Sequence, residues 1–133
     1  MSDTEFKQRI VVLLVEDDDH VRKMGHTILA KAGYIVLTAS DAVAALRISR
    51  QHYGRIDVLF TDVELRGKDG ITLAKQITAE RPEIGVLLTS GNHDYKYRTE
   101  FVLLPKPFLP KDLLNGIAAA LKRAEAGRNH RHN

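Results

Sequence analysis

The sequence predicts an α/β domain built on one five-stranded parallel sheet, doubly wound so that helices cover both faces. Two observations carry that expectation. Five short apolar runs rich in β formers alternate with segments whose apolar residues recur at helical spacing, the pattern of successive βαβ units. The first run, "IVVLLV" at residues 10 to 15, is apolar without interruption, as expected for a strand buried on both faces.

The elements follow in order. Strand one ends in the acidic cluster Glu16, Asp17, Asp18 and Asp19. Asp19 is expected to cap a helix that carries Val21, Met24, Ile28 and Leu29 on its apolar face and stops at Gly33. "YIVLTA" (34 to 39) reads as strand two, and Ser40 as the cap of a helix carrying Val43, Ala44, Leu46 and Ile48. "DVLFT" (57 to 61) is strand three, with Asp62 at the point where it leaves the core. After a polar loop comes a helix from about Gly70 to Glu80, with Leu73, Ala74 and Ile77 on one face and Pro82 closing it. "IGVLLTS" (84 to 90) is strand four and "FVLLP" (101 to 105) strand five. Pro110 begins a last amphipathic helix with Leu113, Leu114, Ile117 and Leu121 inward, ending at Gly127. The alternation implies right-handed crossovers. Residues 1–8 read as an N-terminal extension, 9–126 as the domain and 127–133 as a disordered polar tail. Residues 91 to 100 are few for a crossover that needs at least about 10–12 residues with its helix, so the fourth helix is expected to be shortened or missing.

Composition narrows the function classes. With 133 residues, 44% of them hydrophobic and 28% charged, the chain suits one globular core. The net charge of +3 leans on Lys122, Arg123, Arg128 and Arg131 near the end, which gives DNA binding no support. The absence of cysteine excludes a disulfide framework and any thiolate zinc site. No apolar run approaches the roughly 18 residues that span a bilayer. The start "MSDTEFKQR" has no apolar h-region, so the expected location is cytoplasmic, with neither nucleic acid nor membrane as a partner.

The chemistry gathers at the strand ends. Glu16 and Asp17 end strand one and Asp62 ends strand three. In a doubly wound sheet these strands are neighbours at the topological switch point, where ligands bind. Three carboxylates in one crevice repel unless a cation sits among them, and oxygen-only ligands suit Mg²⁺, which favours one or two carboxylates plus a phosphate oxygen. Asp62 then reads as a nucleophile beside a metal. Strand four offers the Ser90 hydroxyl and the "PKP" after strand five the Lys106 ammonium, the groups that would hold the oxygens of an acyl phosphate.

Four motifs in order, "LLVEDDDHVR", "FTDVELRGKDG", "LLTSG" and "LLPKPF", resemble the receiver domain of two-component response regulators over residues 9 to 125. The resemblance implies a flavodoxin-like fold, with Glu16 and Asp17 as the acidic pair and Asp62 as the phosphoacceptor. It further implies that Glu64 lends its main-chain carbonyl to Mg²⁺, that Ser90 is the switch hydroxyl, and that Lys106 binds phosphate. It makes Lys106–Pro107 a candidate cis peptide. Glu64 and Asn92 are candidates to modulate the attacking water. Two departures stand out: Arg66 and Gly67 lie where the family commonly has proline, and Leu103 where it often has a switch aromatic.

The function expected is that of a stand-alone receiver taking a phosphoryl group from a phosphohistidine on a histidine kinase or a histidine phosphotransfer protein. It would signal through contact with an unknown downstream protein or by relay, and would catalyse its own dephosphorylation without being a turnover enzyme. Two other classes stay open. One is a Mg²⁺-dependent aspartyl phosphohydrolase, for which Glu64 occupies the place of the second acid. The other is a receiver-like binding module independent of phosphate.

Overall fold

The computed structural model describes residues 10–92 and 101–132. Its strands are β1 (Val11–Val15), β2 (Ile35–Ala39), β3 (Val58–Asp62), β4 (Gly85–Ser90) and β5 (Val102–Pro105). The helices among the described residues are α1 (Asp19–Lys31), α2 (Ala42–Gln51), α3 (Gly70–Glu80) and α4 (Pro110–His132). All strand pairs are parallel, in the order β2-β1-β3-β4-β5. The expected doubly wound sheet is therefore present. The expectation of a short or missing fourth helix falls on residues 93–100, outside the described residues.

The period of two along each strand divides the interior into two cores. Val11, Leu13 and Val15 of β1, Leu59 of β3 and Val86 and Leu88 of β4 pack with Ala45 and Leu46 of α2 and Leu73, Ala74 and Ile77 of α3. Val12, Leu14, Val58, Phe60 and Leu87 point the other way, onto Leu29 of α1 and Leu113, Ile117 and Ala120 of α4. All five residues of β1 and of β3 are buried, which is why β1 reads as an unbroken apolar run and β3 stays apolar from Val58 to Phe60 before Thr61 and Asp62. Edge strand β2 is covered less completely, and Ile35 is exposed.

Three of the four described helices start by one rule, and it corrects two expected caps. An N-cap carboxylate accepts from the N–H three residues on. Asp18 Oδ1 accepts from Val21 N at 3.0 Å, Asp41 Oδ1 from Ala44 N at 2.7 Å and Asp69 Oδ1 from Thr72 N at 2.8 Å. The caps of α1 and α2 are thus Asp18 and Asp41, not Asp19 and Ser40; Asp19 instead pairs with Arg22. The inward faces differ from the expectation at one residue each. Met24 is 44% and Val43 72% exposed, while Gly25 and Leu29 of α1 and Ala42, Ala45, Leu46 and Ser49 of α2 are buried. The last helix passes through Gly127 to His132 instead of stopping there, because Gly127 does not take the positive φ that ends a helix and Gly33 does.

One glycine places the functional end of the sheet. A Cβ on Gly70 would lie 2.0 Å from the Asp62 carbonyl oxygen, and the Gly70 N–H donates to Val63 O at 2.7 Å. Only a residue without a side chain lets α3 begin against the end of β3, which fixes the loop that follows Asp62.

Candidate functional site

The crevice forms at the carboxyl ends of β1 and β3. The pairing of Val15 with Thr61 brings the next residues, Glu16 and Asp62, side by side. Both are buried, 3% and 5% exposed, and Asp17 is half-buried at the rim. Oxygens of these three carboxylates lie within 4.8 Å of one another, so the sequence-predicted acidic trio is assembled.

Lys106 enters from the end of β5. Its N–H donates to Ser90 O at 2.8 Å, continuing the β4–β5 pairing past Pro105. Its Nζ donates to Glu16 Oε1 at 2.7 Å and to Asp62 Oδ2 at 3.0 Å. The Lys106–Pro107 peptide is cis, as expected. Around this pair the backbone closes in: Asp18 N donates to Glu16 Oε2 at 3.1 Å and Glu64 N to Asp62 Oδ1 at 3.2 Å. Arg22 Nη1 donates to Glu16 O at 2.9 Å. The loop residue Arg66 stands 3.8 Å from Asp17 Oδ2 across an exposed ion pair.

Burial dominates the electrostatics. It pushes the Asp62 carboxyl up to about 6; the Lys106 hydrogen bond opposes the shift and the Glu16 charge adds to it. Burial alone would lower the Lys106 ammonium, but its hydrogen bonds to Glu16 and Asp62 and their charges outweigh this and raise it. Near neutral pH Asp62 is mostly a carboxylate facing a fixed cation.

The remaining predicted residues form a second edge of the crevice. Ser90 is 4% exposed; its Oγ donates to Glu64 Oε1 at 2.6 Å and accepts from Asn92 N at 3.1 Å. Glu64 is thus tied to Asp62 through its main chain and to β4 through its side chain. Sequence reading missed three contributors: Gly70, Arg22 and the Glu64–Ser90 bond. Gly70 had a signal in the "KDG" that closes the loop after Asp62, whereas the two side-chain contacts depend on rotamers that sequence does not carry.

The donor set fits a hard divalent cation. In an octahedral shell with metal–oxygen bonds of about 2.1 Å, adjacent oxygens lie roughly 3 Å apart and opposite ones about 4.2 Å apart. The trio is within a small inward adjustment of those spacings, and its oxygen-only character disfavours zinc.

A switch-point crevice with a carboxylate trio and a lysine on a five-stranded parallel sheet defines a ligand-binding α/β domain. The chain belongs to the response regulator receiver domain family, whose model matches residues 12–118. It is 31% identical to the response regulator receiver protein CpdR of Brucella abortus, over 83% of this chain and 95% of that protein. It is 32% identical to the sensor kinase CckA of Brucella abortus, over 92% of this chain. A crystal structure of the receiver domain from the hybrid histidine kinase CckA superposes with a TM-score of 0.73 and 37% identity, covering 84% of this chain and 98% of that one. The chain spans 14% of the sensor kinase's length and 49% of that of the transcriptional regulatory protein AruR of Pseudomonas aeruginosa. No helix among the described residues is long and apolar enough to cross a membrane.

Proposed function

We propose that this receiver domain accepts a phosphoryl group on Asp62 from a phosphohistidine of a histidine kinase or histidine phosphotransfer protein. The observation that carries the reading is the state of Asp62. It is a buried carboxylate with Oδ2 on Lys106 and Oδ1 on the Glu64 N–H, beside two more acids. A carboxylate oriented in this way is a nucleophile for phosphorus. An Asp62 oxygen attacks the phosphorus, the P–N bond breaks with its electron pair left on the imidazole, and an acyl phosphate forms.

Mg²⁺ held by Glu16, Asp17 and Asp62, with the Glu64 main-chain carbonyl as a further ligand, would neutralise the phosphoryl oxygens. Lys106 supplies a second fixed positive charge, already within 3.0 Å of Asp62. The Ser90 hydroxyl, on the neighbouring strand, is the donor for a phosphoryl oxygen. Hydrolysis by water, modulated by Glu64 and Asn92, returns inorganic phosphate and the Asp62 carboxylate. The domain is then a phosphoacceptor that resets itself rather than a turnover enzyme. It passes its signal to a downstream protein by contact or relay. A kinase donor draws on a nucleoside triphosphate, which agrees with the cytoplasmic location expected from the sequence.

Glu64 bears on the phosphohydrolase alternative. The second acid of such an enzyme must be available to the leaving group, and here the Glu64 carboxylate is engaged by Ser90. The direct test is transfer of labelled phosphoryl from autophosphorylated histidine kinases of the source cell. The reading expects rapid Mg²⁺-dependent labelling of the wild type by at least one kinase. Catalytic turnover of small phosphoesters in place of a single labelling event would favour the hydrolase.

A further inference from the structure

A serine hydroxyl has one proton to donate. Here that proton is committed: Ser90 Oγ donates to Glu64 Oε1 at 2.6 Å, a short charge-assisted bond, while the same oxygen accepts from Asn92 N at 3.1 Å. Together the two bonds pin the hydroxyl. The carboxylate that accepts this bond belongs to a residue itself placed relative to the nucleophile, because Glu64 N donates to Asp62 Oδ1. Glu64 is exposed and Ser90 buried, so the bond runs from the domain surface into the crevice.

We propose that Glu64 is a positioning residue that withholds the Ser90 hydroxyl from the phosphoryl group, so that the phosphoryl oxygen on Asp62 must compete with a carboxylate for this hydrogen bond. The inference rests on the reading of Asp62 as phosphoacceptor and adds a regulator to it. In the resting domain Ser90 serves Glu64; in the phosphorylated domain it serves a phosphoryl oxygen, and the Glu64 side chain is released toward solvent. One anionic acceptor replaces another, so the exchange is nearly balanced and sensitive to the chemistry of residue 64. The released carboxylate also changes the exposed surface beside the crevice, giving a partner something to read without an aromatic at position 103.

Beryllofluoride with Mg²⁺, a stable mimic of the aspartyl phosphate, provides the test through its dissociation constant, measured by calorimetry. Glu64→Ala should bind it about tenfold more tightly than wild type, because a charge-assisted bond no longer has to be broken. Glu64→Gln, which keeps an acceptor oxygen but loses the charge, should fall between the two. In a Ser90→Ala background Glu64→Ala should change nothing further, since the competition is gone. Equal tightening in both backgrounds would mean that the Glu64 charge acts directly on the anion, and no tightening in either would mean that there is no competition; each overturns the positioning role. Neither touches the phosphoacceptor reading so long as wild type binds beryllofluoride and Asp62→Asn does not. A wild type that fails to bind it, or an Asp62→Asn variant that binds equally well, overturns that reading and this inference together.

Discussion

Removing the proposed nucleophile should change how the stability of the metal-free domain depends on pH, in favour of the variant as pH rises to neutral. Burial raises the Asp62 pKa from an unperturbed 3.8 to about 6, so the folded state holds the proton more tightly than the unfolded chain. The stability this confers is complete below about pH 4 and is lost as pH rises through about 6. Two pK units at 1.36 kcal/mol each set the loss at about 3 kcal/mol, and solvent at the crevice mouth reduces it to about 1–3 kcal/mol. Asp62→Asn is close to isosteric and does not titrate, so it escapes the loss. Urea denaturation in chelator, from pH 4 to pH 7.5, measures the difference between the two proteins, in which titrations of groups that do not interact with Asp62 cancel. The stability difference should move by about 1–3 kcal/mol in favour of Asp62→Asn across that range. Mg²⁺ should then restore the wild type preferentially, by about 2.7 kcal/mol at a hundredfold excess over its dissociation constant. A stability difference that stays flat with pH, or that moves toward wild type, would refute the claim that Asp62 is charged at a cost.

Three further outcomes are expected. Asp17→Asn should weaken Mg²⁺ binding by at least about tenfold in calorimetry, since it removes a rim carboxylate of the trio; an unchanged affinity would place the ion elsewhere. Gly70→Ala should cost about 1–3 kcal/mol in thermal or chemical denaturation, because its methyl group meets the Asp62 carbonyl at 2.0 Å. Arg81 donates to the Ser49 hydroxyl and to the carbonyls of Ser49, His52 and Gly54. Arg81→Ala should therefore cost about 2 kcal/mol and speed amide exchange in residues 52–57, with no change at β1.

What the sequence made legible is what periodicity and charge contrast encode. β1 and the first three residues of β3 announce themselves because strands buried on both faces are apolar, and the abrupt carboxylates at their ends mark the site. Lys106 was legible through its flanking prolines and the four ordered motifs. The errors lie where one residue of phase decides. Asp18 and Asp19 are chemically equivalent cap candidates, and so, nearly, are Ser40 and Asp41; only the reach to the third N–H separates them. Met24 and Val43 follow the apolar spacing yet lie outward, because the small residues Gly25, Ala42 and Ala45 take the positions against the sheet. Gly25 was overlooked because a residue with no side chain gives no hydrophobic signal, yet its closeness to Leu14 and Phe60 seats α1 on the sheet. The Glu64–Ser90 bond joins residues 26 apart on two elements, and no local pattern encodes it.

The central claim is that Asp62 is the phosphoacceptor, and intact-protein mass spectrometry after incubation with a small acyl phosphate and Mg²⁺ tests it most directly. Wild type should gain the mass of one phosphoryl group, which hydroxylamine removes and chelation of the metal prevents, and Asp62→Asn should gain none. Addition of the same group to Asp62→Asn at wild-type yield would contradict the account, because the nucleophile would then lie outside the crevice.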